Sequence, residues 1–289
     1  MYLISGATGQ IGGALATHLL QQKQPTRVLV RSEGKGRPWA DQGADVAIGT
    51  FEDVDSLGAA LEGVGGAFLM QPNDFDSKDF IGDGRERTSG YLRALDHAGR
   101  PRVALLSSVG AHHATGHGPV RREHHFERAF AEYADVRVVR GAYFMENWAN
   151  VLDAVRGPGI LPTFLTPGKP IPMVSANDLG RALARALTDE RAPRLLELAG
   201  PADYTPEQVA SALGELLERD IKLAPETTDA VIPRFTKLGF TEPIAALVKE
   251  MYEGYSDGTM AFEREPARGE TTLRNGLSAL LASSAVATR

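Results

Sequence analysis

The sequence predicts an α/β fold, a parallel sheet doubly wound with helices and followed by a smaller C-terminal α/β lobe. Three observations carry that expectation. Short, nearly continuous apolar runs alternate with helix-like stretches through the first half, the pattern of strands covered on both faces. The first run, Tyr2–Ser5, opens into a turn with glycines at positions 6, 9 and 12. Behind that turn Ile11, Leu15 and Leu19 fall four apart, on one face of a helix.

Taken in order, strands are expected at Tyr2–Ser5, Arg27–Arg31, Asp45–Ile48, Ala67–Met70, Val103–Ser107 and Val136–Arg140. Val54–Leu61 and Phe80–His97 have helical patterning. The second half changes character. Gly157–Pro172 holds five prolines and reads as a loop. Ala176–Leu187, preceded by Ser175, reads as a helix, and Leu195–Leu198 as one more strand. Thr205-Pro206-Glu207-Gln208 has the parts of a helix start: a Thr cap, Pro at the first helical position and Gln three after the cap. The last 60 residues look helical and loop-rich. The division expected is residues 1–150 for the sheet domain and mainly 151–289 for the lobe, with some segments returning to the sheet.

Composition excludes several classes. At 43% hydrophobic and 24% charged, the 289 residues suit an ordinary globular protein. With no cysteine there is no disulfide, thiolate nucleophile or Cys-ligated metal. A net charge of −6 without a basic run argues against nucleic acid as a partner. No apolar stretch reaches the roughly 20 residues that span a bilayer. The expectation is a cytoplasmic protein with a small-molecule substrate and no membrane partner, either a monomer or a homodimer.

The glycine-spaced turn has the chemistry of a phosphate site. Gly6 lets the chain leave the strand sharply, Gly9 admits a pyrophosphate to the backbone, and Gly12 lets the helix pack on the strand. The N–H groups of Gln10 and Ile11, beside Thr8, then face the anion, assisted by the helix dipole. A strand before, an amphipathic helix behind and a second strand after are the context of a Rossmann-type dinucleotide site. A ligand-free tight turn is the alternative. The second strand ends Val30-Arg31-Ser32. An acidic residue here would select NAD(H); a cation selects the 2′-phosphate of NADP(H). Arg31, with Ser32 and Lys35 nearby, favours NADPH/NADP⁺ over NAD(H). Glu33 counts mildly against it but falls in a Gly-rich loop.

Five segments together resemble the NmrA-like branch of the atypical short-chain dehydrogenase/reductases. They are Gly6–Gly12, Val30-Arg31, Leu106–Gly110, Arg140–Trp148 and Val174–Gly180. The resemblance implies a Rossmann-type fold and an NADP(H) site, in a family of quinone reductases, triphenylmethane-dye reductases and NADP(H) sensors. It places Phe51 near the adenine and Met70 and Gln71 along the ribose and diphosphate. It places Ser107, Ser108, Tyr143 and Phe144 at the nicotinamide. There are departures. Gly49-Thr50 stands where relatives often have Gly-Asp. Arg122 or Glu123 stands where many have Lys or His. The Tyr-x-x-x-Lys pair of better-known relatives is missing; Tyr133 is followed by Arg137 instead.

Hydride transfer needs a group to stabilise or protonate the developing oxyanion. The candidates are Ser108, Tyr143 and a histidine, with His124 nearest the relatives' Lys or His position. Five of the seven histidines lie between His112 and His125. Three readings stay open for them: a polar surface loop, a source of one acid or substrate contact, or a metal site. No neighbouring carboxylate pair completes a metal set, and no metal is expected. Asn147 and Trp148 either shape a pocket or pack a core, and Asp178 is expected to brace a helix. The functional expectation is an NADPH-dependent reductase of a small, largely apolar carbonyl, quinone or conjugated compound. The alternatives are a non-enzymatic NADP(H) sensor acting through a protein partner, and an isomerase or lyase with a resident dinucleotide.

Overall fold

The computed structural model describes residues 1–72 and 74–286. Its first half alternates strand and helix: β1 (Tyr2–Ser5), α1 (Gln10–Gln21), β2 (Thr26–Val30), α2 (Glu33–Ala40), β3 (Asp45–Ile48) and α3 (Val54–Leu61). Then come β4 (Gly66–Leu69), α4 (Phe80–His97), β5 (Arg102–Ser108), α5 (Val120–Ala129) and β6 (Val136–Gly141). These strands pair in parallel in the order β3-β2-β1-β4-β5-β6. The winding reverses between β1 and β4, so the loops leaving their carboxyl ends part and open a crevice.

Successive residues of a strand point to opposite faces, and two cores result. Ile4, Phe68 and Ala104 join Leu15 and Leu19 of α1 on one face. Leu3, Leu69 and Leu105 join Leu57, Tyr91 and Phe126 on the other.

The second half supplies β7 (Tyr143–Phe144), a 3₁₀ turn at Met145–Val151, α6 (Leu152–Arg156), β8 (Ile160–Thr163), β9 (Ile171–Val174), α7 (Ala176–Thr188) and β10 (Leu195–Ala199). It continues with β11 (Asp203–Tyr204), α8 (Pro206–Leu217), β12 (Lys222–Pro225), α9 (Val231–Lys237), α10 (Glu242–Asp257), β13 (Ala267–Arg268) and α11 (Leu273–Val286). β10 and β13 extend the main sheet beyond β6. α7 covers the same face as α1. The rest builds two small sheets and a third core around Trp148, Leu161, Leu213 and Leu277. Among the described residues no helix is long and apolar enough to cross a membrane.

Thr205 and Gln208 form the expected reciprocal cap: the Thr205 N–H donates to Gln208 Oε1 at 2.9 Å and the Gln208 N–H to Thr205 Oγ1. Asp178 braces the segment after β13, accepting from the Thr271 N–H at 2.9 Å. Two expectations need correction. The proline-rich stretch 157–172 contains β8 and the start of β9. Pro162 is tolerated because β8 pairs on one side only, with β12. Glu33 is not in a loop but in the first turn of α2, where the helix dipole favours an acidic side chain. Gly34, Gly36 and Pro38 concealed that helix.

Candidate functional site

The crevice is lined first by the turn from β1 to α1. Gly6 has φ 65°, a backbone that other residues rarely adopt. A Cβ on Gly12 would lie 2.3 Å from the Gly6 carbonyl oxygen, so only glycine lets α1 start this close to the strand. No side chain caps α1 and its first turn has no acid. α3, α4 and α7 are capped by Asp53, Asp79 and Ser175. Thr8, Gly9 and Gln10 are exposed. The first amides of α1 therefore face outward without an intrahelical partner, which suits a phosphate. Met70 packs on this turn, its sulfur 3.3 Å from where a Gly6 Cβ would be.

Further along the same edge, Arg31 is exposed at the end of β2 and makes no hydrogen bond or ion pair among the described residues. Phe51 is half-buried after β3, with its ring edge-on to Tyr91 at 6.3 Å. The Tyr91 hydroxyl donates to the Met70 carbonyl at 3.0 Å. Bare turn, uncapped helix and unpaired arginine lie along one sheet edge, and these residues fit a dinucleotide carrying an extra phosphate.

Two expected contacts turn away from the crevice. Gln71 is 5% exposed. Its amide donates to Gly84 O and Thr88 Oγ1, and its Oε1 accepts from Arg87, so it offers a ligand only backbone. Ser107 is 2% exposed and its hydroxyl donates to Glu127 Oε1 at 2.5 Å, under α5. A carboxylate only accepts, so the single Ser107 proton is already committed. The next residue, Ser108, is half-buried at the end of β5, opposite Gly141 of β6, and donates to Val109 O at 3.1 Å.

At the relatives' Lys or His position, Arg122 is the residue that reaches the crevice wall. It is buried over the Phe80 ring and donates to the carbonyls of Pro72 and Gln71 at 2.7 and 3.4 Å. It also pairs with Glu123 at 3.0 Å. Burial raises the Glu123 pKa against the pull of Arg122.

Tyr143 enters the lobe core between Trp148 and Tyr255, at ring distances of 6.0 and 5.8 Å, and its phenol interacts with Tyr252 and Asn147. Burial, then the neighbouring tyrosines, raise its pKa well above the ordinary phenol value. It keeps its proton at neutral pH and can donate. Phe144 is half-buried beside it. His124 lies on the flank of α5. Its Nδ1 bonds the Ala111 carbonyl at 2.9 Å and therefore carries the hydrogen. Nε2 can donate only when the ring is doubly protonated. The ring borders a recess of about 330 Å³ that His112, Glu127, Arg128 and Arg140 also line.

Behind that recess is a buried ionic row that the sequence reading missed. Arg140 is clamped by Glu127 at 2.7 Å, Glu197 at 3.2 Å and Glu263 at 3.0 Å. A charge inside the apolar strand Val136–Gly141, and Glu197 inside Leu195–Ala199, were the available signals. Two carboxylates do reach the histidines: His112, Glu197 and Glu263 have donor atoms within 4.8 Å of one another. Arg140 already sits between those carboxylates, so a metal ion would meet a guanidinium. Burial and Arg140 also lower the His112 pKa.

The model of the NmrA-like family matches residues 2–260. The chain is 24% identical over 257 residues to an NAD(P)H azoreductase of Xenophilus azovorans, covering 87% of this chain and 86% of that one. It is 26% identical over 224 residues to an uncharacterised oxidoreductase of Bacillus subtilis, covering 76% and 72%. Among solved structures it resembles an Escherichia coli NADPH-dependent quinone oxidoreductase complexed with NADPH (TM-score 0.78, 22% identity, 97% of this chain and 100% of that one). It also resembles a Citrobacter triphenylmethane reductase complexed with NADP(H) (TM-score 0.77, 22% identity, 96% and 99%).

Proposed function

The chain belongs to the NmrA-like family, and from that premise we propose that it is an NADPH-dependent reductase of a small, largely apolar carbonyl, quinone or conjugated compound. The observation that carries the reading is the uncapped, glycine-built start of α1 on one sheet edge with the unpaired Arg31. The similar proteins are named for azo, quinone and triphenylmethane acceptors, all of them conjugated.

Bound NADPH would supply a hydride from its nicotinamide C4. Gly6, Thr8, Gly9, Gln10 and Ile11 would hold the pyrophosphate through backbone amides, and Arg31 would take the 2′-phosphate as a charge-assisted fork. Phe51 would flank the adenine, Met70 and the Gln71 backbone would border the ribose, and Phe144 would back the nicotinamide. Ser108 and Tyr143 offer O–H groups to the developing oxyanion. His124 would deliver a proton from Nε2 as the imidazolium. Arg122 shapes the wall through Gln71 and Pro72. Ser107, bound to Glu127, takes no direct part.

A second reading rests on Arg122. Its donors are spent on backbone and on Glu123, so a sensor without turnover also fits. That reading requires NADP⁺ and NADPH to bind with different affinities.

Loss of NADPH absorbance, measured against quinones, enones, aldehydes and imines with NADH in parallel, tests the proposal. Turnover of at least one conjugated class, faster with NADPH, is expected. Tight NADPH binding with no turnover of any class would sink the reductase and leave the sensor.

A further inference from the structure

The second lobe meets the loop that leaves the carboxyl end of β4 through aromatic rings. The segment 74–79, after β4, touches the turn between α9 and α10 at three points. The Phe75 and Phe240 rings stack with centroids 4.3 Å apart and planes 27° from parallel. The Thr241 N–H donates to Phe75 O at 3.3 Å, and Thr241 Oγ1 to Ser77 O at 3.2 Å. Both bonds are at the long end of the range. Phe75 is 40% exposed even with one face covered.

The stack is the outer end of a row of rings. Phe240 meets Phe235 edge-on at 4.9 Å, Phe235 meets Phe164 at 6.1 Å, and Phe164 meets Tyr252 at 5.3 Å. The Tyr252 phenol interacts with that of Tyr143. The row thus runs from an open surface to the residue assigned to the substrate. Its other flank, the segment 74–79, follows shortly after Met70, which packs on the dinucleotide turn.

We propose that Phe75 and Phe240 are specificity-determining residues: a ring clip at the substrate entrance that favours acceptors with larger flat faces. The inference rests on the reductase reading. Opening the clip gives up one ring stack and two long hydrogen bonds. A planar conjugated acceptor sliding between the rings presents a face to each, so one stack is exchanged for two. An acceptor with one small ring recovers less of the lost contact than one with two or three fused rings. A non-planar aliphatic enone recovers least.

The test compares kcat/KM for p-benzoquinone, 1,4-naphthoquinone and 9,10-phenanthrenequinone in the wild type, Phe75→Ala, Phe240→Ala, the double alanine variant and Phe75→Leu. The last keeps apolar bulk without a ring. The phenanthrenequinone-to-benzoquinone ratio is expected to fall about fivefold to tenfold in each variant, with the double alanine variant no worse than either single one. An unchanged ratio overturns the proposal, whether all three rates fall together or none falls. Binding of 2-naphthol, followed by its own fluorescence, gives a readout that needs no turnover. If the wild type reduces nothing, weaker naphthol binding in the Phe75→Ala and Phe75→Leu variants keeps the clip and sinks only the reductase. Unchanged naphthol binding sinks the clip.

Discussion

Replacing Arg140 with methionine is expected to destabilise the fold by about 3–5 kcal/mol, the cost of stranding buried charge. Three carboxylates surround this one guanidinium, and two of them, Glu127 and Glu197, are themselves largely buried. Methionine restores the volume but leaves those charges opposed to one another. The ionic row joins α5, β6 and β10 to the segment entering β13, where the Glu263 and Arg264 N–H groups donate to Glu197. Its loss should therefore be felt globally, as a fall in Tm of roughly 6–20 °C.

The pH dependence gives this prediction its signature. Without Arg140 three carboxylates face one another in the folded variant, a repulsion that protonation relieves. Its stability then rises as pH falls from neutral toward the acid range. In the wild type Arg140 lowers the Glu263 pKa, through a direct hydrogen bond. Stability from that pair is present above the unfolded carboxylate value and is lost as pH falls through the lowered one. The gap between variant and wild type should narrow on acidification. A gap of under 2 °C at neutral pH, or one that widens in acid, would show that the row contributes little.

Gly12→Ala is expected to weaken NADPH binding by about a hundredfold or more, the loss of two charge-assisted phosphate contacts. The added methyl meets backbone, not a movable side chain: Gly6 O at 2.3 Å, Gly6 C at 2.6 Å and Ser5 O at 3.0 Å. α1 cannot retreat, because on its far side Gly180 of α7 is packed so closely that its own Cβ would lie 2.7 Å from Ala14. The clash must tilt the first turn, and with it the amides aimed at the pyrophosphate. Overpacking should also cost about 1–3 kcal/mol. Gly58→Ala is the control. That helix position has nothing within 4 Å of a new Cβ, so stability should rise by about 0.5–1 kcal/mol with NADPH affinity unchanged. Normal NADPH affinity in Gly12→Ala would remove the turn from the binding site.

The physical reasons why some features were legible in the sequence and others were not are local against long-range. β1 to β6 lie within one residue of their expected positions, because, the exposed edge strand β3 apart, a strand buried on both faces writes itself as an apolar run. The phosphate turn was legible because glycine spacing acts within a few residues. β7, β11 and β13 have two residues each, too few for any pattern. α2 and β8 were hidden by glycine and proline, whose usual meaning the surrounding packing overrode. Side-chain direction at strand ends was the weakest point. Ser107 and Ser108 were assigned to the same site, yet alternation sends the first under α5 to Glu127. Likewise Gln71 was placed on the cofactor, but Arg87 and Thr88 of α4 draw its side chain inward. The Arg140 row, the meeting of His112 with Glu197 and Glu263, and the Phe75–Phe240 stack each join segments distant in the chain. Local pattern offers at most the charges inside apolar strands, Arg140 and Glu197, and never their partners.

The central claim is that this sheet edge binds a phosphorylated nicotinamide dinucleotide and reads its 2′-phosphate with Arg31. Equilibrium titration of the wild type and of Arg31→Ala with NADPH and NADH tests it most directly. The account predicts saturable binding with NADPH favoured over NADH by about tenfold to a hundredfold, a preference that collapses in Arg31→Ala. Failure of either nucleotide to bind saturably, or equal affinity for both in the wild type, would contradict it.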